Sequence, residues 1–338
     1  MRVAVVGAGQ ACAPHFRSLQ DLQGELELAW VIGRDAGRLA ALELPAGTRT
    51  STRLDDLLED PTVQAVLVLT PPNTHLDIVR RVAGAGKHVL VEKPLEVSLD
   101  KAQQLVEVCE REGVKLAVML QHRMREAARV LALLVASGTL GDLVSASASV
   151  RWWRPQGYYD EPGRGTLARD GGGVLMTQAI HTLDLLLCLT GMPDRVSAMA
   201  NTSAIHRMEC EDTVAAVLHY SNGAIGSIDA TTAAYPGFPE RISLNFTGGS
   251  ATLEAGEFHA ERMDGQTFHA GSPQASGSGA NMMTFDHQAH RAVLQDFVTA
   301  IRTQAEPAVT GRSALQVHRL IAAMMASSGS AAAVSLTA

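Results

Sequence analysis

Short apolar runs alternate with longer helical patterns over the first third of the chain. Strands are predicted at Val3–Val6, Leu26–Ile32, Ala65–Leu69, Val89–Val91 and Leu116–Met119. Between them, apolar residues recur every three or four positions, which is the spacing of amphipathic helices. Short strands that alternate with helices are typical of a parallel sheet covered on both faces. The pattern therefore predicts a doubly wound α/β domain over residues 1–121.

Polar and apolar positions alternate more strictly in the rest of the chain. After a predicted helix at Glu126–Ser137, strands are predicted at Val144–Trp152, Arg195–Ala200, Thr213–Tyr220, Ala224–Thr231, Arg241–Asn245 and Ala251–Glu254. This alternation indicates an antiparallel sheet with one covered face. We expect a second domain over residues 122–338, whose final helices, within 286–326, pack back on the first domain.

Composition excludes several classes of function. The net charge of −7 gives no attraction to nucleic acid or to an anionic membrane surface. No apolar run approaches the ~20 residues of a membrane helix, and the apolar N-terminus ends at Gly7, too early for a signal peptide. The four cysteines form no CxxC pair, so neither disulfides nor a zinc site are predicted, and a cytoplasmic protein is expected. His287 and His290 lack a third ligand nearby, so they are interpreted as surface residues and no metal is predicted.

A glycine loop follows the first strand directly. A dinucleotide site needs a tight turn, close backbone approach to the pyrophosphate and a helix N-terminus aimed at it. Gly7 and Gly9 supply the first two, Gln10 and Ala11 complete the loop, and Cys12 stands where a third Gly or Ala is usual. A strand before the loop and a helix after it favour a dinucleotide site over a structural glycine turn.

The end of the second strand bears on the choice of cofactor. An acidic residue there would bind the ribose of NAD, but the position is occupied by Gly33. Arg34 and Arg38 could instead hold the 2′-phosphate of NADP, because guanidinium matches phosphate geometry. NADP is therefore favoured over NAD. The alternatives are that both arginines are solvated, or that Asp35 is the ribose ligand.

The stretch from Asp170 to Leu187 opens with three glycines and continues as an apolar helical pattern. His181 and Asp184 are three residues apart, so they are expected to share a helix face, with Thr177 one turn earlier. Polar groups on an apolar helix need partners or a wet cleft. The stretch is therefore either a catalytic site or a buried histidine satisfied by an aspartate.

An aromatic segment lies between the first predicted strand of the second domain and the three glycines. Two of the three tryptophans and two of the four tyrosines lie within residues 152–159. Aromatic faces with hydroxyl and guanidinium donors suit a polyhydroxylated or anionic ligand. Candidate substrate contacts in this segment are Trp153, Arg154, Tyr158 and Tyr159. The alternative is a large aromatic core cluster.

Two further motifs, Thr70–His75 (TPPNTH) and Gly86–Leu95 (GKHVLVEKPL), follow the third strand and span the fourth. Together with the glycine loop and the GGG…H…D stretch, they resemble the Gfo/Idh/MocA family of oxidoreductases. The resemblance implies an N-terminal Rossmann domain that binds NAD(P) and a C-terminal α/β domain with a large open, mostly antiparallel sheet. It also implies a homodimer or homotetramer formed through that sheet.

The resemblance implies roles for individual residues. Lys93 takes the position of the family's active-site lysine, and a cis bond before Pro94 is plausible because proline permits one. The residues expected to contact the cofactor, besides the glycine loop, are Thr70, Pro71, Asn73, His75, Glu92, Lys93, Pro94 and Gln121. The residues expected to contact substrate, besides the aromatic segment, are Lys93, Arg123, Thr177, Gln178 and His181. For Arg123, an ordinary polar linker is an equal alternative.

The expected reaction is hydride transfer between a nicotinamide cofactor and a hydroxyl or carbonyl group of a sugar, cyclitol or related cyclic polyol or acid. His181, whose unperturbed pKa is near ~6.5, is predicted to be the acid/base. Lys93 is predicted to orient the substrate oxygen as an ammonium group. Thr177 stands where inositol-dehydrogenase-like members have an aspartate, which weakens the transfer of their mechanism. An NAD-dependent glycosidase and a non-catalytic nucleotide-sensing regulator are the alternatives.

Overall fold

A computed structural model describes residues 1–9, 12–273 and 286–337. Its α-helices are α1 (Ala13–Asp21), α2 (Ala36–Ala40), α3 (Leu54–Leu58), α4 (His75–Gly84), α5 (Leu99–Arg111), α6 (Glu126–Ala136), α7 (Gln156–Tyr159), α8 (Ile180–Thr190), α9 (Gln288–Thr303) and α10 (Gly311–Ser330). None of the described helices is long and apolar enough to span a bilayer.

The first six strands are β1 (Arg2–Val6), β2 (Glu27–Ile32), β3 (Arg49–Ser51), β4 (Ala65–Val68), β5 (His88–Val91) and β6 (Leu116–Val118). The others are β7 (Leu143–Arg151), β8 (Arg195–Asn201), β9 (Thr213–His219), β10 (Ile225–Thr231), β11 (Arg241–Phe246), β12 (Gly249–Glu254), β13 (Glu257–Arg262), β14 (Thr267–Gly271) and β15 (Val334–Ser335).

The chain forms two compact units. One comprises Met1–Gln121 and His287–Leu315, and the other His122–Asp286 and Gln316–Ala338.

The first unit is built on a parallel sheet. Within the described residues it has six strands in the order β3-β2-β1-β4-β5-β6. The residues of β4 are all 0% exposed, which explains their continuous apolar sequence: a parallel strand is covered on both faces. The strand order reverses between β1 and β4, and open α/β sheets bind ligands at the carboxyl ends of their strands at such a point. The predicted doubly wound sheet is confirmed.

The second unit is built on a mostly antiparallel sheet. Its nine strands, counted over the described ranges, run in the order β14-β13-β12-β11-β7-β10-β9-β8-β15, with a parallel pair at β7 and β10. In β9, Val214, Ala216 and Leu218 are buried while Ala215 and Val217 face outward. Helices α6 and α8 pack against this sheet. The expected mostly antiparallel sheet is therefore confirmed as well.

Strands β3, β13, β14 and β15 were not among the predicted elements. In β13, Phe258 and Ala260 are buried while His259 and Glu261 are exposed. That alternation, over a short and highly charged sequence, is the signal that could have revealed the strand.

Candidate active site

The glycine loop of the first unit follows β1, where the strand order reverses. Gly7 has a φ of 110°, and a Cβ at this position would lie 2.8 Å from both the carbonyl carbon and the oxygen of Leu69. Glycine alone accepts this backbone and this close approach. A Cβ at Gly9 would meet no described atom within 4 Å, so the loop borders open space. Gln10 and Ala11 lie outside the described residues.

Cys12 closes the loop. Its thiol donates a hydrogen bond to the carbonyl oxygen of Gly7 at 3.0 Å. Burial raises the pKa of the thiol to about 12, so the group remains a protonated donor near neutral pH. Helix α1 begins at the next residue, with Pro14 in its first turn, where a missing N–H costs no hydrogen bond. Cysteine thus satisfies the need for a small residue at the third position of the fingerprint.

The end of β2 carries an exposed pair of arginines. Gly33 follows the strand directly, and Arg34 and Arg38 are both exposed. The Asp35 carboxylate accepts a hydrogen bond from the Arg38 backbone N–H at 3.0 Å and caps α2. Asp35, the alternative ribose ligand, is therefore engaged in stabilising its own helix.

His75 joins the two loops that follow β4 and β5. One ring nitrogen lies 2.8 Å from the carbonyl oxygen of Thr70, and the other lies 3.1 Å from the carbonyl oxygens of Pro94 and Leu95. The side chain is fully buried, and burial lowers the pKa of His75. His75 was predicted to contact the cofactor, and the structure assigns its ring to fixing the loops. Pro71 and Asn73 remain predicted cofactor contacts.

The loop after β5 carries the predicted catalytic lysine. The Glu92 carboxylate lies 2.6 Å from a ring nitrogen of His15 and accepts a hydrogen bond from the Lys93 backbone N–H at 3.0 Å. Although burial disfavours its charge, the hydrogen bond and charge of His15 lower the pKa of Glu92 to about 2. The Lys93–Pro94 bond is cis, as the sequence suggested. Glu92, also predicted as a cofactor contact, anchors this loop with both oxygens.

The first unit fits a dinucleotide on two observations. The Gly7 turn admits no side chain, which lets a phosphate approach the backbone. Gln121, at the end of this unit, has a buried side-chain oxygen with no hydrogen-bond partner among the described residues. Such an acceptor suits an amide N–H of a ligand.

In the second unit, the glycines lead into the helix that carries His181. A Cβ at Gly173 would lie 1.7 Å from the carbonyl oxygen of Glu211, so no side chain fits there. The Glu211 carboxylate accepts from the backbone N–H groups of Gly173 at 3.0 Å and Leu175 at 3.2 Å. The backbone carbonyl of Glu211 accepts a hydrogen bond from the backbone N–H of Val174 at 2.9 Å. One buried residue thus binds the N–H groups that the start of a helix leaves unpaired.

The start of this helix departs from the predicted α-helical spacing. Residues Leu175–Ala179 form a π-helical turn, and α8 follows at Ile180. The Thr177 hydroxyl donates to the Gly173 carbonyl at 2.7 Å and also contacts the Gln178 side-chain oxygen. π-turns are frequent at functional sites, because the extra residue turns side chains away from the regular helix faces.

The ring of His181 is stacked on that of another histidine. The rings of His181 and His122 have centroids 4.8 Å apart and are inclined by 26°. Both Asp184 oxygens accept from the Arg123 guanidinium, at 2.5 and 2.7 Å. Burial disfavours the charge of Arg123, but the hydrogen bonds and charge of Asp184 outweigh it and raise the pKa of Arg123. Asp184, which was expected to share a helix face with His181, thus binds Arg123, a predicted substrate contact that is held in this ion pair.

The aromatic segment brings several predicted substrate residues together. The Tyr158 hydroxyl accepts from Arg164 at 2.9 Å and from the Gln178 side chain at 3.2 Å. The guanidinium of buried Arg154 lies 5.7 Å from the centre of the Tyr158 ring. Arg164, which also binds Glu161, was absent from the predicted site, although it lies only five residues after the aromatic segment.

The other two aromatic candidates have different surroundings. Tyr159 is buried, and its hydroxyl hydrogen-bonds the Thr232 hydroxyl at 2.7 Å, so it is a core residue, as the alternative interpretation proposed. Trp153 is partly exposed and stands edge-on to Tyr235, with ring centroids 5.5 Å apart. His206, which sequence reasoning missed, lies 2.8 Å from the carbonyl oxygen of Arg154 and supports that segment.

Comparison with known proteins identifies the family. Residues 1–120 match the family model described as oxidoreductase family, NAD-binding Rossmann fold, and residues 128–252 match that of the GFO/IDH/MocA C-terminal domain. D-xylose 1-dehydrogenase (NADP(+)) 2 of Haloferax volcanii is 30% identical over 92% of this chain and 93% of its own length. The chain belongs to the Gfo/Idh/MocA family.

Other relatives agree with this assignment. An uncharacterized oxidoreductase of Schizosaccharomyces pombe is 31% identical over 65% of this chain, and the chain spans 60% of that relative. The WlbA dehydrogenase from Bordetella pertussis, solved with NADH and UDP-GlcNAcA, has a TM-score of 0.86 and 29% identity, over 100% of this chain and 99% of its own. The Gfo/Idh/MocA resemblance that the sequence motifs indicated is thus confirmed.

Proposed function

We propose that this Gfo/Idh/MocA protein is an NAD(P)-dependent dehydrogenase that oxidises a hydroxyl group of a sugar, cyclitol or related cyclic polyol or acid. The observation that carries the proposal is that the parts needed for hydride transfer are present in one chain. The first unit has the dinucleotide loop and Lys93, and the second has His181 on a helix whose start is fixed by Glu211. The match to a D-xylose dehydrogenase along nearly its whole length supports it.

The cofactor would be held by the Gly7–Gly9 turn at its phosphates and by Gln121 at an amide group. When bound, a nicotinamide supplies the acceptor for the hydride that leaves the substrate carbon. Fixing the loop of Lys93 through Glu92 and the loop of Thr70 through His75 keeps the surrounding backbone rigid. A rigid frame is required because hydride transfer depends strongly on distance and orientation.

The protein must also remove the hydroxyl proton. We assign this to His181, because imidazole exchanges protons near neutral pH. The His122 ring packs against that of His181 and helps to hold it in place. Lys93, as an ammonium group, is assigned to bind the substrate oxygen and stabilise its developing negative charge.

Substrate recognition is assigned to the cluster of Arg154, Tyr158, Arg164 and Gln178. The cluster presents guanidinium, hydroxyl and amide groups beside an aromatic face, which suits a ring bearing several hydroxyls or a carboxylate. The WlbA relative was solved with a nucleotide-linked sugar acid, in agreement with this class.

A substrate screen tests the proposal directly. Purified protein is incubated with sugars, sugar acids and cyclitols and with NAD⁺ or NADP⁺, and formation of the reduced cofactor is followed by its absorbance. We expect turnover with at least one of these classes. Tight cofactor binding without reduction by any of these alcohols would contradict the proposed activity.

The surroundings of Gly33 predict a preference for NADP. Arg34→Ala and Arg38→Ala should each weaken NADP⁺ binding about tenfold, since each loses a charged hydrogen bond to the 2′-phosphate. NAD⁺ binding should change little. Dissociation constants for both cofactors, measured by calorimetry, check this.

The exposed Arg80 of α4 offers a matched control, and Arg80→Ala should leave both constants unchanged. If the unaltered protein binds NAD⁺ more tightly than NADP⁺, the preference is wrong.

We further propose that the protein forms a homodimer or homotetramer through the outward face of the nine-stranded sheet. On this face Met199, Val217 and Ile225 are 81%, 53% and 57% exposed. Val217 is flanked across the strands by Ser197 and Ser227, so the apolar side chains project from a surface of small residues. An exposed apolar patch of this kind is typical of a protein–protein interface.

A charge placed at the centre of this face should break the assembly. Val217→Arg is expected to lower the mass measured by light scattering to that of a monomer, because a buried, unpaired guanidinium is costly in an interface. Leu133→Arg, at an exposed leucine of α6, is the control and should keep the original mass. A monomeric unaltered protein would disprove the interface.

A further inference from the structure

We propose that His15, Glu92 and His290 form a binding site for a divalent transition-metal ion such as Zn²⁺ in the first unit. Each residue offers one ligand atom, and these atoms all lie within 4.8 Å of one another. Two imidazoles and one carboxylate are a donor set that zinc accepts, with water as a fourth ligand. The site does not depend on the proposed catalytic function.

The three side chains are close to metal-binding geometry. Ligands about 2.1 Å from a tetrahedral zinc ion are about 3.4 Å apart. The His15–Glu92 separation of 2.6 Å would therefore open slightly, and the His290 ring, whose centroid is 5.4 Å from that of His15, would move inward. Both adjustments are smaller than a rotamer change.

The electrostatics also favour a cation. The Glu92 side chain is 13% exposed and that of His15 is 2% exposed. Water would therefore screen the attraction between the carboxylate and a bound ion only weakly. The Glu92 carboxylate supplies the negative charge that would attract the ion. A bound ion would take the place of the hydrogen bond between His15 and Glu92.

The three ligands come from three separate elements of the first unit. His15 lies on α1, Glu92 on the loop after β5, and His290 on α9. An ion here would tie the glycine-loop helix to the loop that carries Lys93. Its role would be structural: it should raise the thermal stability of the unit without entering the reaction.

The burial of His290 also corrects its interpretation as a surface residue. His290 was interpreted as a surface residue without a third ligand, but it is 5% exposed. Its two companions lie about 200 and 275 positions earlier in the chain, where no local spacing rule could connect them. His287 is the more exposed of the two helix histidines and hydrogen-bonds Asp21 at 2.8 Å.

Metal titration of the full-length protein tests the site. Protein stripped with EDTA is titrated with Zn²⁺ by calorimetry and with Co²⁺ by visible absorption, and its melting temperature is recorded with and without Zn²⁺. We expect one ion per chain, a Co²⁺ spectrum typical of mixed nitrogen and oxygen ligands, and a higher melting temperature with Zn²⁺. Absence of Zn²⁺ binding by the unaltered protein would overturn the proposal.

Variants locate the ion. His290→Ala and Glu92→Gln should each weaken Zn²⁺ binding at least about 100-fold, because loss of a direct ligand exceeds the loss from an outer-sphere partner. His287→Ala is the matched control, since it removes a nearby histidine that contacts the carboxylate of Asp21 on α1. This variant should bind Zn²⁺ normally. If His290→Ala does not fold, His290→Asn replaces it. Normal affinity in the folded His290 variant, or loss in His287→Ala, would refute this location.

Discussion

His181→Ala and Lys93→Met are each expected to lower kcat by at least about 100-fold on the true substrate, while cofactor binding persists. General acid–base catalysis contributes about 100- to 10,000-fold, and His181 is the group assigned to it. Lys93 is assigned to the developing charge on the substrate oxygen, where one lost donor typically costs a factor of about 100 or more. Initial rates at saturating cofactor, together with dissociation constants for the cofactor, measure both effects.

The pH dependence separates the two roles. In Lys93→Met the acid limb of the kcat profile should remain, because the histidine still titrates, whereas in His181→Ala it should disappear. His259→Ala, at an exposed histidine of β13, serves as the control and should retain full activity. Full activity in either site variant would remove that residue from the mechanism.

Asp184→Ala is expected to destabilise the protein by about 3–5 kcal/mol. Asp184 is 1% exposed and Arg123 is 15% exposed at the side chain, so removing the carboxylate leaves a largely buried guanidinium without its counter-charge. Urea unfolding followed by tryptophan fluorescence measures the loss.

The paired variant Arg123→Met/Asp184→Leu tests the explanation for that loss. It should recover most of the stability, because replacing both charges by apolar groups removes the desolvation penalty. A surface change such as Glu27→Ala, in the exposed pair with Arg2, should have little effect. An Asp184→Ala variant as stable as the parent would mean that the ion pair contributes nothing measurable.

Local pattern was enough to predict the parallel sheet of the first unit, apart from its edge strand β3. Strand β4 is short, apolar and completely covered, the apolar residues Val3–Val6 of β1 and Val89–Val91 of β5 are buried as well, and the glycine loop follows β1. Each of these features arises from neighbours in sequence: a covered strand needs apolar residues on both faces, and a phosphate-binding turn needs small residues at fixed spacing. The parallel sheet and the cofactor loop were therefore visible in the sequence.

Contacts between residues that are distant in sequence could not be predicted. The helical spacing placed Asp184 on the face of His181, but it could not indicate that Asp184 binds Arg123, which is 61 residues earlier. The π-helical turn depends on Glu211, which binds the helix start from 36 and 38 residues further along. No periodicity carries this information, since it is set by which segments the fold brings together.

The candidate substrate cluster could be predicted from the sequence only in part. The aromatic segment was recognised by its composition, and its member Tyr158 indeed binds Gln178 and Arg164. Composition alone could not separate Tyr158 from Tyr159, although they are adjacent. Adjacent residues on a short helical turn point in different directions, and only the fold determines which direction is the core.

The contact between Gly173 and Glu211 limits where this enzyme can be redesigned. Any side chain at position 173 would collide with the Glu211 backbone, so randomising the helix start would yield misfolded proteins rather than new specificities. Tyr158 and Arg164 hydrogen-bond each other through their side chains, and Tyr158 binds Gln178 in the same way. A mutant library aimed at a different substrate should therefore vary positions 158 and 164 and keep the residues that hold His181 in place.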